Sequence, residues 1–302
     1  MKFFFLSDLH LVWDNPVART DNAHATQMLK FKTVLNHVAE ERGMLFVAGD
    51  FFDHPRSWYL LPEIIRVLRK FACPVYSVFG QHDLYMYSEN RRNTNLGILM
   101  ESGLVHEIPK DGAPVINGVK VYPMNWGDPV PTKLSPDRNI LVAHAPIAAR
   151  AIYPGQQFSP ALQFLKDHPE FDVIHVGDIH QRFSFNDGGR WIINTGPILR
   201  MEATDDSWAA RPGFNVWESE TGEMGWVEIP FEKPEKVLTF EHLEKAKRVE
   251  EMMTQFTTAI RSGTDVSGGN SFFEILQELM NKEGVGAEVR EIISSKISET
   301  EK

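Results

Sequence analysis

The chain has 302 residues, 42% of them hydrophobic and 24% charged, with a formal net charge of −10. That balance suffices for a full core and excludes a disordered composition, no apolar run reaches the roughly 18 residues of a membrane span, and one cysteine, Cys73, rules out an intramolecular disulfide and suits a reducing cytosol. The acidic excess argues against nonspecific nucleic-acid binding, which usually draws on a basic surface.

The first apolar run, Phe3-Phe4-Phe5-Leu6, is broken by Asp8 and His10 and lacks a cleavage-like site, so it reads as a first strand and not a signal peptide. A long helix is predicted from about Thr26 to Glu41, and further β-rich runs follow at Met44–Val47, Val75–Phe79, Ile140–Val142 and Val173–Val176. Each run is closed by side chains suited to metal ions: Ser7-Asp8-Leu9-His10, Gly49-Asp50-Phe51-Phe52-Asp53, Gly80-Gln81-His82-Asp83, Ala143-His144-Ala145 and Gly177-Asp178-Ile179-His180. Any one Asp-x-His or Gly-Asp is commonplace. Five of them, each at a predicted strand end, place one rim of chemistry on an α/β fold.

Two divalent cations in one site need a carboxylate shared between them and separate oxygen and nitrogen ligands for each. Asp8 and His10, at i and i+2 as a strand enters a loop, can turn toward one ion, and Asp50 is the natural bridge. The order of the five segments resembles the calcineurin-type metallophosphoesterase signature. That resemblance implies a four-layer sandwich of two mixed β-sheets flanked by helices. It also implies a first metal held by Asp8, His10, Asp50 and His180, and a second held by Asp50, Gln81, His144 and Asp178. Gln81 stands where the family has Asn and Asp178 where it has His; both keep an oxygen donor, and the change moves the preference from zinc toward manganese or magnesium. His82 resembles the histidine that contacts the scissile phosphate or protonates the leaving oxygen, and Asp53 the carboxylate that orients it.

Within the superfamily, the chain to about residue 230 is most similar to the SbcD-type DNA-repair nucleases. The similarity lies in Ser-Asp-Leu-His-Leu, in Gly-Asp-Phe-Phe-Asp followed by Pro55-Arg56-Ser57, in a helix through Arg66, Arg69 and Lys70, in Leu96-Gly97-Ile98-Leu99 before Gly103-Leu104-Val105, and in the turn Asn194–Arg200. Of the basic groups near the predicted site, Arg56, Arg91, Arg92, Arg182 and Arg200 are candidate phosphate contacts, as is His54. His24, His37, His106, His168 and His242 have no ligand-like neighbours, and His175 alternates along a buried strand as a structural residue.

Domain organisation reads as a catalytic domain over 1–230, a helical extension over 231–262 carrying Val249, Met253, Phe256 and Ile260, a Gly/Ser-rich linker over 263–270, and a helical pair over 271–302. Such a pair must cover its apolar stripe on the body, on a second copy or on a partner. In SbcD-type proteins the similar segment docks on an SbcC-type ATPase. Three functional readings remain open: a manganese-dependent exo- and endonuclease of DNA repair and recombination, cytoplasmic and dimeric; a phosphodiesterase or phosphatase on small nucleotides, favoured by the acidic charge; and a noncatalytic scaffold with a decayed second metal site.

Overall fold

The computed structural model describes residues 1–241 apart from 88, 89, 114, 115 and 133, together with positions 243, 247, 250, 254 and 290. The chain divides into two compact units, Met1–Phe240 and Glu241–Lys302. The predicted linker and most of the C-terminal helical pair lie outside the described residues. The opening stretch of the predicted helical extension, 231–240, belongs to the first unit, where Thr239 N–H donates to Ala18 O and Thr20 N–H to Val237 O.

Alternation along the first strand sets the layers. In β1 (Lys2–Leu6), Phe3 and Phe5 point to one face and Phe4 and Leu6 to the other, and all four are buried. Its sheet also contains β2 (Met44–Val47), β3 (Val75–Ser77), β4 (His106–Glu107), β12 (Gly213–Glu218) and β13 (Met224–Glu228), in the order β13-β12-β1-β2-β3-β4. β1 to β4 run parallel, β12 pairs antiparallel with β1, and β13 pairs antiparallel with β12. A second sheet of β5 (Val119–Met124), β6 (Arg138–His144), β9 (Val173–Gly177), β10 (Phe183–Asp187) and β11 (Arg190–Asn194) has the order β10-β11-β9-β6-β5, with only β10 antiparallel. A short parallel pair, β7 (Ile147–Ala148) and β8 (Ser159–Pro160), stands apart.

Helices α1 (Ala23–Glu40), α2 (Leu61–Phe71) and α3 (Asn95–Glu101) cover the outer face of the first sheet, where Phe4, Leu6, Leu45 and Val47 meet Phe31, Val34, Leu35, Ile64 and Leu99. Phe3, Phe5 and Phe46 face Val121, Ile140, Val142 and Val173 between the sheets. Behind the second sheet, Leu141, Ile174 and Val176 pack with Leu165 of α4 (Ala161–Asp167). The result is the expected four-layer α/β sandwich. Helix α1 starts three residues before the predicted Thr26 because the Asn22 side chain caps it, accepting from Ala25 N–H at 2.8 Å. Two short helices, α5 (Asp205–Ala209) and α6 (Pro234–Val237), complete the unit.

Because the site-bearing strands are parallel within each sheet, their carboxyl ends share one edge of the sandwich. The sheets are also joined there: His175 Nε2 donates to Leu6 O at 3.0 Å and Ser7 Oγ to Val176 O at 2.8 Å. His175 is the structural histidine expected from its strand. Burial pushes it down to about 4, against the opposing pull of its bond to the Leu6 carbonyl. A histidine titrating near 6.5 when unfolded and about 4 when folded stabilises the neutral form, so its contribution is complete above pH 6.5 and is lost as pH falls toward 4. Between pH 7 and pH 5 that loss is about 2 kcal/mol, an order-of-magnitude figure. Denaturant unfolding of His175→Gln, which keeps a donor toward Leu6 O, should show an acid slope smaller by about this amount; an unchanged slope would refute the assignment.

Candidate metal centre

The loops that leave the strands turn sharply. Asp8, His10, Asp50 and Asp178 all adopt left-handed backbone, with φ of 49°, 43°, 46° and 95°. Such conformations are costly for residues with a Cβ and persist only where surrounding contacts hold them. Here the contacts are visible. His10 N–H donates to Asp50 O at 2.8 Å and Leu11 N–H to Phe51 O at 3.0 Å, so the first two loops are zipped together. The Gln27 amide donates to the Leu9 and His10 carbonyls at 2.8 Å each and accepts from Val12 N–H at 3.0 Å. Buried Asp83 accepts from the N–H groups of Phe51, Phe52 and Gly80 at 3.1–3.2 Å, joining the second loop to the third. A Cβ on Gly80 would lie 2.0 Å from Asp50 Oδ1, so only glycine permits this approach.

The side chains then converge. Asp8, His10, Asp50 and His144 are buried, His180 is partly so, and His82 is exposed. His10 Nε2 lies 3.0 Å from His180 Nε2, and His10 Nδ1 is 3.1 Å from Asp53 Oδ1. His144 Nδ1 donates to Ala48 O at 2.7 Å, which turns Nε2 toward Gln81 Oε1 at 2.7 Å and Asp50 Oδ2 at 3.3 Å. An imidazole lone pair cannot face a carbonyl at that distance without a proton or a cation between them. Among the described residues, three sets of donors come within 4.8 Å of one another: Asp8, His10 and His180; His10, Asp50 and His82; and Asp8, Asp50 and His144. Asp8 Oδ2 and Asp50 Oδ2 are buried with no hydrogen-bond partner.

The electrostatics describe the same demand for positive charge. Burial pushes Asp8 up to about 7, against the pull of His144 and His10. Burial also works to raise Asp50, but the neighbouring His144 and His10 outweigh it and hold the carboxyl below its usual range. His144 is driven down by burial and up, more strongly, by Asp50 and Asp8, reaching about 10. His180, with burial reinforced by the charge of His10, falls to about 3 and is neutral, as a ligand must be. A divalent cation balances this cluster without the protons.

Several sequence expectations land elsewhere. The Asp53 carboxylate orients His10 and not His82; His82 Nδ1 is instead 2.9 Å from the backbone carbonyl of Asp53. Asp178 Oδ1 receives the Gln81 amide at 2.8 Å and stands outside the three donor sets, while Asp8 joins the set expected around the second metal. Arg200 is buried, donates to the Ala210 and Glu232 carbonyls and lies over Phe231, so it clamps the chain and does not face a phosphate. Arg91 pairs with Glu107 at 3.7 Å and Arg92 with Glu101 at 3.3 Å, and together they line a separate cavity with Phe79 and Met100. Arg56 stacks 3.4 Å over Tyr85, and exposed His54 lies 3.5 Å from Asp53. Sequence reading missed Gln27 as a loop anchor and gave no role to Asp83, although the latter stands inside a motif.

Burial and the charge of Asp50 raise Asp83 to about 7 against its three backbone donors. Asp83→Ala should strand those donors and lower stability on the order of 3 kcal/mol, with weaker metal binding, because both loops that carry Asp50 and Gln81 lose their tie. Asp83→Asn, retaining an acceptor, should be milder in thermal unfolding and metal titration alike. Equal behaviour of the two variants would remove the anchoring role.

No curated protein sequence matches the chain. Among solved structures it is similar to an archaeal phosphodiesterase at 13% identity and a TM-score of 0.44, covering 76% of this chain and 100% of that one. It is also similar to a 5′-nucleotidase precursor from Thermus thermophilus (10%, TM-score 0.42, 84% and 59% covered) and to Vps29 complexed with zinc from Entamoeba histolytica (14%, TM-score 0.37, 76% and 98%). Residues 1–182, more than half of the chain and all five metal-bearing segments, match the model of the calcineurin-like phosphoesterases, and the protein belongs to that family of metal-dependent hydrolases of phosphate esters.

Proposed function

We propose that the protein is a manganese-dependent two-metal DNA nuclease of the SbcD type. The observation that carries the metal reading is the pair of buried carboxylate oxygens without a hydrogen bond, Asp8 Oδ2 and Asp50 Oδ2, among imidazole nitrogens. Carboxylate oxygens left bare in a protein interior cost several kcal/mol unless a cation meets them.

The donor set fits two ions. Asp8, His10, Asp50 and His180 would hold one ion, and Asp50, Gln81 and His144 would hold the other, with Asp178 holding the Gln81 amide. Ions bound there would polarise the phosphoryl group and lower the pKa of a water nucleophile. An oxygen-rich second set favours manganese or magnesium over zinc. His82 is exposed beside this cluster. With Nδ1–H donated to Asp53 O, its Nε2 is left to hold the proton that a leaving oxygen takes up. Asp53 positions His10 through its carboxylate.

Resemblance over residues 1–230 supports DNA as substrate and a homodimer, and the similar layout of 271–302 supports an SbcC-type ATPase partner docking there. The net charge of −10 favours a second reading, phosphodiester or phosphomonoester hydrolysis on small nucleotides. A manganese-supplemented assay on single- and double-stranded DNA, bis-p-nitrophenyl phosphate and cyclic nucleotides separates them. Turnover confined to the small substrates selects the second reading, and no turnover of any substrate selects a scaffold.

Asp8→Ala and His10→Ala should lose bound manganese and activity together while the unfolding transition survives. His82→Ala should keep its metal, measured by elemental analysis, and lose about 10²–10⁴-fold in turnover. If metal content falls in step with activity in His82→Ala, that residue is a ligand and not the acid.

A further inference from the structure

A cavity of about 460 Å³ opens against His180, lined also by Arg150, Arg182, Arg211, Phe183 and the Thr195-Gly196 turn. Clefts of about 300–1,000 Å³ suit a small organic ligand, which here means one nucleotide unit and not a length of duplex. Phe183 stacks on Phe185, with ring centroids 5.4 Å apart, and gives one wall an apolar face.

The three arginines are not equivalent. Arg150 pairs with Asp206 at 2.6 Å, and Arg211 grips Glu228 with two bonds at 2.6 and 3.1 Å. Arg182 has no carboxylate within ion-pair distance among the described residues; its guanidinium carbon lies over Trp226, 3.9 Å from the ring centroid. A cation–π contact uses the face of a guanidinium and not its N–H donors, which can take a phosphate by two parallel bonds. Arg182 follows His180 by two residues, and the intervening Gln181 accepts from Arg150 N–H at 3.1 Å, which ties this segment to the loop across the cavity.

We propose that this cavity is a subsite for a nucleotide unit that bears a second phosphate, one phosphate lying at the metal centre and the other on Arg182; the proposal rests on the phosphodiesterase reading above. The enzyme then distinguishes a linkage inside a strand, which has a flanking phosphate, from an isolated diester.

Calorimetric titration with thymidine 3′,5′-bisphosphate and thymidine 5′-monophosphate, in manganese, tests it on wild type, Arg182→Gln and Arg182→Lys. Wild type should bind the bisphosphate about tenfold more tightly than the monophosphate, the size of one charge-assisted contact. Arg182→Gln should bind both alike, with monophosphate affinity within about twofold of wild type, and Arg182→Lys should keep part of the preference. Equal binding by wild type, a preference that survives Arg182→Gln, or parallel loss of both ligands would overturn the subsite. Hydrolysis of bis-p-nitrophenyl phosphate, which has no second phosphate, by the wild type tests the phosphodiesterase reading separately from the subsite. If wild type turns over neither this compound nor DNA, the phosphodiesterase reading fails, while the two titrations still decide the subsite.

Discussion

Two carboxylates buried side by side set the terms for the whole rim. Asp8 and Asp50 are 0% and 1% exposed, and with His144 they offer ligand atoms within 4.8 Å of one another. At that separation two like charges repel by about 3–4 kcal/mol at an effective dielectric near 20, a large share of the 5–15 kcal/mol that usually separates folded from unfolded states. The arrangement is tolerable only with compensating positive charge. Imidazoles supply some of it, and the oxygens they leave unmet define where cations belong. Function and instability here have one origin.

The sandwich is what makes so unfavourable a cluster rigid. Parallel strands deliver all five loops to one edge, and the buried aromatic layer between the sheets, Phe3, Phe5, Phe46 and Trp217, fixes the distance between the two sets of loops. Side chains then carry the strain of the left-handed turns. Thr195 Oγ1 accepts from Ser7 N–H at 2.7 Å, and Asn194 Nδ2 donates to Ile179 O at 2.8 Å, so the turn after β11 holds both the Asp8 and the His180 loops. A ligand shell placed this way keeps its geometry before any ion arrives.

Much of this was legible in the sequence because it is local. Apolar runs mark strands through their own composition, and a carboxylate or histidine directly after such a run falls at a strand end whatever the remaining fold. The layers followed as well, since Phe3 and Phe4 must face opposite ways. What was not legible depends on partners distant in sequence. The Asp53 carboxylate meets His10 across 43 residues, and Asp83 meets Phe51 across 32. Nothing in either motif states which nitrogen will be near. Arg200 was misread for the same reason: an arginine after a conspicuous turn looks available, and only the fold brings the Ala210 and Glu232 carbonyls to it.

Gln81 and Asp178, the two positions that differ from the resembled signature, turn out to be one feature. A shorter amide at position 81 would be one methylene short of both neighbours it now joins. As it stands, the Gln81 nitrogen donates to Asp178 Oδ1 at 2.8 Å while its oxygen faces His144 Nε2 at 2.7 Å. An imidazole at 178 would present no anionic acceptor to that nitrogen, and the amide would lose the contact that fixes which end points inward. Conversely, Asp178 without Gln81 would leave a third carboxylate beside Asp8 and Asp50 with no donor from position 81. Each substitution therefore answers the other: the added charge of Asp178 is spent orienting an amide, and that amide turns a neutral oxygen toward the centre. The cluster keeps a neutral oxygen donor at Gln81 without adding another unbonded anion to the two it already holds.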